Sequence, residues 1–379
     1  MNARDQHLFS PGPKRILSLD GGGVRGAITL AFLEQIEAEL AVRFGRKVLL
    51  HEYFDLIGGT STGAIIAGAL SLGYSAAAIH EFYKTLAPRV FKKSRWRIIG
   101  LQAKFNFEGL QRELDDIVGN RELDNEEILT GLMIVMKRMD TGSPWLVSNN
   151  PRSPYWHDPE DGSYVGNRNY KLARLIRAST AAPHYFDPEP LDVLGDGSPG
   201  LFVDGGVTPF NNPALALLQH VTLPQYGLNW PFGPDNLTVV SVGTGTFRSR
   251  FKPSEFNNIG AIGLAIRALT GLISDNQTHA LGLMQWLGDT LTPWQINSEA
   301  GDMRGAVLPG GPLFKIIRYD LRLEHDWLMQ TLGQAPEPAV ITRMRAMDDP
   351  SLVGASYELA RLAAREQVRA SHFDDGAAT

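Results

Sequence analysis

The chain has 379 residues, 43% of them hydrophobic, which is enough to form a sizeable core in one large domain or two smaller ones. Its net charge of −5 argues against a protein that binds a nucleic-acid polymer. It contains no cysteine, so disulfides, thiolate nucleophiles and cysteine-bound zinc are excluded. Because no apolar run is long enough to cross a bilayer and no signal peptide is visible, we expect a cytoplasmic protein that is soluble or bound to a membrane surface.

The N-terminal part predicts a flexible leader and then a strand, a glycine-rich loop and a helix. Residues 1–14 are polar, with proline and glycine near their end, and form the leader. Residues 15–20 have the pattern of a short strand, and residues 27–44 carry apolar residues at helical spacing. We expect a main domain over residues 15–332 that begins with this unit.

Several interpretations fit the glycine-rich loop. Gly21, Gly23 and Gly26 match a dinucleotide-binding fingerprint, but Asp55 comes too late to be its acidic residue. An oxyanion hole, in which backbone N–H groups meet the charge of a tetrahedral intermediate, fits best, and a plain tight turn is the remaining alternative. Arg25 is expected either to meet a phosphate or to hold the loop through a carboxylate. The candidate oxyanion-hole donors are the N–H groups of Gly21, Gly22, Gly23 and Val24.

The second strand–turn–helix unit carries the candidate nucleophile. Residues 54–58 predict a strand, residues 63–72 predict an apolar helix, and Ser61 lies between them in a G-x-S-x-G motif. Gly59 and Gly63 provide the small neighbours that a sharp strand-to-helix turn requires. At the start of a helix, the dipole favours negative charge that develops near the Ser61 hydroxyl. An ordinary glycine- and serine-rich loop is the alternative.

Residues 89–104 form a cationic segment. They carry six cations and no acid, with two aromatic residues between them. Such a segment suits an anionic membrane surface or a phosphate-bearing ligand, although a solvated loop is slightly preferred. The candidate contacts are Lys92, Lys93, Arg95 and Arg97.

Asp204 is the candidate general base. Residues 201–203 predict a short strand, and Gly205 and Gly206 leave space in front of the carboxylate that follows it. No histidine after Asp204 lies in a comparable strand-end turn, which favours a Ser–Asp pair over a triad with histidine. A carboxylate is a weak base for a serine hydroxyl, so partial desolvation has to raise its pKa.

The remaining segments complete the predicted architecture. Residues 140–169 are rich in polar and turn-forming residues and predict a long surface excursion. Residues 259–291 predict two apolar helices around residues 274–276, which form core or, less favoured, a lipid-facing surface. Residues 333–379 predict a linker and a charged, helical C-terminal tail.

Taken in order, several segments resemble the motif blocks of the patatin-like phospholipase family. They are residues 20–26, 59–63, 178–183, 204–206, 211–213 and 241–245, within a match of roughly residues 15–246. The resemblance implies a three-layer α/β/α fold with a central, mostly parallel sheet. It also implies a lipid acyl hydrolase without metal or cofactor, in which Ser61 is the nucleophile, Asp204 the base and the glycine loop the oxyanion hole. Bacterial members of this family include membrane-degrading antiphage effectors that cyclic oligonucleotides switch on.

Three hypotheses about function follow. The first is a phospholipase that cleaves the fatty-acyl esters of membrane glycerophospholipids through an acyl-enzyme. The second is the same hydrolase acting as an effector that a cyclic oligonucleotide activates and that then touches the membrane peripherally. The third is a non-catalytic lipid-binding module, which the presence of both Ser61 and Asp204 disfavours. Assembly into a homo-oligomer stays open.

Overall fold

The computed structural model describes residues 1–90, 108–248, 260–306 and 308–373. Nine strands of these residues form a single sheet. In chain order they are β1 (Lys14–Leu19), β2 (Leu56–Thr60), β3 (Gly131–Arg138), β4 (Pro144–Ser148), β5 (Glu189–Asp192), β6 (Pro199–Asp204), β7 (Leu237–Val242), β8 (Asp289–Thr290) and β9 (Lys315–Tyr319).

The centre of the sheet is parallel. The strands β3, β2, β1, β7, β9 and β8 pair in parallel in that order, whereas β4 and β6 are antiparallel to β3, and β5 is antiparallel to β6. Since parallel strands end at the same edge of a sheet, the loops after β1, β2 and β7 lie side by side. The end of β6 meets the end of β2, because both strands pair along the side of β3 that lies opposite β4. Val135 pairs with Thr60, and the next residue, Met136, pairs with Asp204.

Helices cover both faces of the sheet, which confirms the predicted three-layer α/β/α fold. Leu17 of β1 packs in one apolar cluster and Ile16 in the other, because alternate residues of a strand face opposite sides. Among the described residues, no helix is long and apolar enough to cross a bilayer. In chain order the helices are α1 (Ala3–Phe9), α2 (Gly26–Phe44), α3 (Leu50–Tyr53), α4 (Thr62–Ser71), α5 (Ala76–Val90), α6 (Glu108–Val118), α7 (Leu172–Ser179), α8 (Ala214–Thr222), α9 (Ala261–Leu287), α10 (His325–Leu332), α11 (Pro338–Met344) and α12 (Val353–Gln367).

The helices α2 and α4 begin at the two loops of the predicted site. The predicted apolar stripe of α2, which includes Leu33 and Ile36, is buried, and the helix ends at Gly45 with a left-handed φ of 63°. Every residue of α4 is buried, because its glycines and alanines allow the helix to lie close to the sheet. Both helices therefore hold their first turns at fixed positions on the sheet edge.

The predicted flexible leader is instead partly a helix. The side chain of Asn2 caps α1 by accepting a hydrogen bond from the N–H of Asp5. Leu8 is buried in the second apolar cluster, and its carbonyl accepts a bond from the indole N–H of Trp230. The polar composition concealed this helix because its apolar contacts come from Leu8 and Phe9 at its end and because a partner, Trp230, lies more than 200 positions away.

Two further predictions differ from the structure. The surface excursion over residues 140–169 contains β4, which pairs along β3, and it buries Trp156. The two helices expected over residues 259–291 are one continuous helix, α9. The helix continues through the polar residues 274–276, and just after them the Thr278 hydroxyl donates to the Ser274 carbonyl at 2.9 Å.

The C-terminal tail is part of the core. The helix α12 packs along α2, and Ala360, Ala363 and Ala364 are fully buried between them. The Tyr357 hydroxyl donates to the Glu34 carboxylate of α2 at 2.7 Å. The charged sequence suggested a separate tail because its buried face consists mainly of small alanines, which carry little hydrophobic signal.

Candidate active site

Ser61 occupies a strained turn between β2 and α4. Its backbone has φ 55° and ψ −121°, a conformation that non-glycine residues rarely adopt and that typically costs about 1–3 kcal/mol. The turn is tight, since a Cβ on Gly59 would overlap the Gly63 carbonyl and a Cβ on Gly63 would overlap that of Leu19. The Ser61 N–H donates to the Ser179 hydroxyl at 2.9 Å, which helps to hold the turn.

The structure brings Ser61 and Asp204 into direct contact. The Ser61 hydroxyl donates to Oδ2 of Asp204 at 2.6 Å, across 143 positions of sequence. The other carboxylate oxygen, Oδ1, accepts the N–H of Gly206 at 2.7 Å, and the N–H of Asp204 donates to the Ala181 carbonyl at 3.0 Å. These bonds fix the orientation of the carboxylate, so that one oxygen is held by backbone and the other faces the serine.

The burial of Asp204 makes its carboxylate a better base. The side chain lies at the end of β6, and the residue is only 5% exposed. Burial raises the pKa of Asp204 from its usual 3.8 to about 6, although the bonds from Ser61 and Gly206 oppose the shift. The group therefore stays ionised at neutral pH while binding a proton more readily than an exposed carboxylate does.

The glycine loop between β1 and α2 presents two backbone donors rather than the four that were predicted. The N–H of Gly21 donates to the Asn211 carbonyl, and the N–H of Val24 donates to the Met347 carbonyl, each at 3.0 Å. Within the described residues, no acceptor bonds the N–H groups of Gly22 or Gly23. The candidate oxyanion donors are therefore reduced to this pair.

Close packing explains why the loop is made of glycine. A Cβ on Gly22 would overlap the side chain of Thr244. Gly23 has a left-handed φ of 60°, and a Cβ there would overlap the Met347 carbonyl. The other motif glycines are also sterically required: a Cβ on Gly26 would meet Tyr83, and one on Gly205 would meet the Val135 carbonyl at 2.5 Å.

A family model described as patatin-like phospholipase matches residues 17–218, more than half of the chain. The chain belongs to the patatin-like phospholipase family. It is thus a lipid acyl hydrolase, and the recognition made from the motifs is confirmed.

Curated relatives extend this assignment. A cUMP-AMP-activated phospholipase of Escherichia coli is 29% identical, over 69% of this chain and 74% of its own length. Patatin-like protein 4 of Arabidopsis thaliana is 30% identical, over 61% of this chain and 59% of its own length. A cGAMP-activated phospholipase of Escherichia coli strain TW11681 is 30% identical, over 54% of this chain and 55% of its own length. This patatin-like chain thus covers less than two thirds of the length of the last two of these relatives.

In this patatin-like chain Arg25 holds the loop, but through carbonyls and not through a carboxylate as one prediction had it. Its Nη1 donates to the Gly245 carbonyl at 2.9 Å, and its Nε donates to that of Gly22 at 3.4 Å. Burial lowers the pKa of Arg25 to about 10, which leaves it charged at neutral pH. Beneath the loop, Arg318 bonds the buried carboxylates of Asp20 at 2.7 Å and Asp320 at 2.6 Å.

A largely apolar cavity of about 180 Å³ opens in front of Ser61 and Asp204. The described residues that line it include Ile65, Phe186 and Leu269. Its apolar walls suit a fatty-acyl chain. The apolar side chains that line it come from several segments: Ile65 from α4, Leu86 and Val90 from α5, Phe186 and Val207 from loops near β6, Phe247 from the loop after β7, and Leu269 and Ile273 from α9.

A histidine, the cationic residues and possible metal ligands are the other candidates for the site. His184, which sequence reasoning overlooked, lines the cavity in the segment after α7, but no hydrogen bond joins it to the site among the described contacts. The cationic residues Lys92, Lys93, Arg95 and Arg97 lie outside the described residues. Within the described parts of the chain, no group of three or more potential ligands could hold a metal ion.

Proposed function

We propose that the chain hydrolyses the fatty-acyl esters of membrane glycerophospholipids, with Ser61 as nucleophile and Asp204 as general base. The observation that carries the proposal is the 2.6 Å hydrogen bond between the Ser61 hydroxyl and the Asp204 carboxylate, beside an apolar cavity. A buried carboxylate bonded to a strained serine at the start of a helix fits nucleophilic acyl transfer, in which a base activates the hydroxyl.

The reaction follows two steps. The Ser61 oxygen attacks the ester carbonyl while Oδ2 of Asp204 accepts its proton, and collapse of the tetrahedral intermediate releases the alcohol, to which Asp204 returns the proton. Water then attacks the acyl-enzyme: Asp204 takes its proton and passes it to the Ser61 oxygen as the fatty acid leaves. The N–H groups of Gly22 and Gly23, together with the N-terminus of α4, stabilise the negative oxygen of both intermediates.

Fatty-acid release from phosphatidylcholine vesicles tests the proposal. We expect Ser61→Ala and Asp204→Asn to lower the release by about 10³-fold or more, because each removes a group that acts in both steps. Ser163→Ala, at an exposed serine outside the cavity, is the matched control and should behave as wild type. Undiminished release by either site variant would refute the assignment.

A peripheral contact with the bilayer is also part of the proposal. Leu264, Leu269 and Leu272 on the first half of α9 are 42%, 37% and 58% exposed, and Leu269 also lines the cavity. Residues 261–273 contain one charged residue, the cation Arg267. An exposed apolar face that continues into the cavity would let a lipid pass from the membrane to Ser61 without crossing water.

Vesicle co-sedimentation tests this contact. Leu272→Asp should weaken the binding to anionic vesicles, because it places a carboxylate in the apolar face. Leu223→Asp alters a leucine that is 43% exposed but lies outside the cavity lining, and it should leave binding unchanged. Equal binding by wild type and Leu272→Asp would remove α9 from the membrane contact.

We further propose that a cyclic oligonucleotide activates this hydrolase in the cytoplasm. The support is that one of the relatives is a cUMP-AMP-activated phospholipase and another a cGAMP-activated phospholipase. Vesicle hydrolysis should rise when either cyclic dinucleotide is added and stay unchanged with AMP or GMP, and sedimentation velocity with and without the nucleotide reports any homo-oligomer. Full activity without nucleotide, combined with no calorimetric heat of binding, would contradict this regulation.

A further inference from the structure

Two arginines meet one aromatic ring at the wall of the active-site cavity. The guanidinium of Arg25 lies 5.6 Å from the ring centre of Phe247, and that of Arg345 lies 5.2 Å from the same centre. All three residues line the cavity that contains Ser61. Arg345 comes from the loop after α11, and it lies beyond residue 218, where the family match ends.

Within the described residues, the hydrogen bonds of Arg345 go to a carbonyl and not to a carboxylate. Its Nε and Nη2 donate to the carbonyl of Leu323 at 3.0 and 2.8 Å, and these are the bonds it makes within the described chain. No carboxylate of the described residues forms an ion pair with it. By contrast Arg343, two positions earlier, pairs with Asp349 at 3.0 Å.

The nearby carboxylates are bonded to other groups. The carboxylates of Asp20 and Asp320 act on Arg25, but both are bonded to Arg318. The ionised carboxylate that lines the cavity, Asp204, is bonded to Ser61 and Gly206. Arg345 is thus a cation of the cavity wall that forms no ion pair with a carboxylate of the described residues. A positive charge beside an apolar cavity attracts an anion that enters with an apolar molecule.

We propose that Arg345 binds the phosphodiester of the lipid substrate while the ester lies at Ser61, and that it is a specificity-determining residue of this site. A guanidinium donates charge-assisted hydrogen bonds to phosphate oxygens, and that of Arg345 lies against the ring of Phe247. Nη1 of Arg345, which has no acceptor among the described residues, is the donor that faces the phosphate. This inference rests on the proposed hydrolysis of glycerophospholipids and adds how the head group is recognised.

The test compares two substrates with the same acyl chains. Phosphatidylcholine carries the phosphodiester, whereas diacylglycerol lacks it, and both are offered in mixed detergent micelles. Arg345→Gln should lower kcat/KM for phosphatidylcholine by about 10- to 100-fold, as expected for one charge-assisted hydrogen bond, mainly through KM. Hydrolysis of diacylglycerol should stay at the wild-type rate, and Arg345→Lys should recover part of the loss because it restores the charge.

The matched control is Arg343→Gln, which removes a nearby arginine that is paired and does not line the cavity. It should leave both substrates unaffected. An equal loss on both substrates by Arg345→Gln would assign Arg345 a structural role, and no loss on either would remove it from the site; both results overturn the proposal.

Two further arms separate this inference from the proposed function. If wild type cleaves neither substrate, the proposed function fails, and binding of phosphatidylcholine micelles to Ser61→Ala, with and without Arg345→Gln, then decides the phosphate site directly. Calorimetry with cGAMP tests the other source of a phosphodiester. Loss of nucleotide binding in Arg345→Gln, with unchanged kinetics on phosphatidylcholine, would overturn the assignment to the lipid.

Discussion

Replacing Asp204 with asparagine should remove activity and at the same time stabilise the fold. The substitution keeps the shape of the side chain, and the remaining oxygen can still accept the N–H of Gly206, while the amide group faces Ser61. The substitution removes the buried negative charge and therefore the proposed general base. Loss of a general base typically lowers a rate by about 10²- to 10⁴-fold.

The gain in stability follows from the pKa of Asp204. Each pKa unit corresponds to about 1.4 kcal/mol, so a rise from 3.8 to about 6 means that the ionised carboxylate costs the folded state about 3 kcal/mol. Because the folded state binds the proton more tightly than the unfolded state, stability falls as pH rises from 3.8 to 6 and stays lowered above that window. Asparagine carries no such cost at any pH.

Differential scanning calorimetry at several pH values measures this effect. At pH 8 the melting temperature of Asp204→Asn should exceed that of wild type by up to about 4 °C for a chain of this length. The difference should fall to about half near pH 5 and vanish below pH 4. Asp235→Asn, at a side chain that is 95% exposed, is the control and should show no change. A destabilised variant, or a difference that does not depend on pH, would refute the reasoning about Asp204.

Three other substitutions probe the surroundings of the site. Gly23→Ala places a Cβ against the Met347 carbonyl at a positive φ, so hydrolysis of vesicles should fall by at least about 10²-fold; a wild-type rate would contradict the oxyanion role. Ser179→Ala leaves the Ser61 N–H without its acceptor and should lower the free energy of unfolding in urea by about 1–3 kcal/mol. His184→Ala should keep the rate at pH 7 within about twofold, and a larger loss would give this histidine a part in proton transfer.

Local sequence patterns predicted most of the fold because its central elements are local units. Strands such as β1 and β7 are short, largely apolar runs with a glycine-rich loop after them, and each is recognisable without knowledge of its neighbours. The elements that were missed depend on distant partners. The strand β4 begins with an exposed proline and is stabilised by pairing with β3. The helix α12 presents alanines that become core only against α2.

The parts of the site that have a local motif could also be predicted from the sequence. The serine turn and the strand-end aspartate each have a local motif, and the sheet register explains why they meet. The sequence could not show which N–H groups of the glycine loop are free to act as oxyanion donors. The N–H groups of Gly21 and Val24 are bonded to the carbonyls of Asn211 and Met347, which lie far along the chain. No sequence motif marks Arg345, because a lone arginine after a short helix is common. Only the fold brings it to the cavity wall beside Phe247.

Covalent labelling with a fluorophosphonate probe, followed by peptide mass spectrometry, tests the central claim most directly. We expect the label on Ser61, and we expect Asp204→Asn to slow labelling by about 10²-fold or more, since the carboxylate must take the proton as the bond forms. A label on a different serine, or labelling of Asp204→Asn at the rate of wild type, would contradict it.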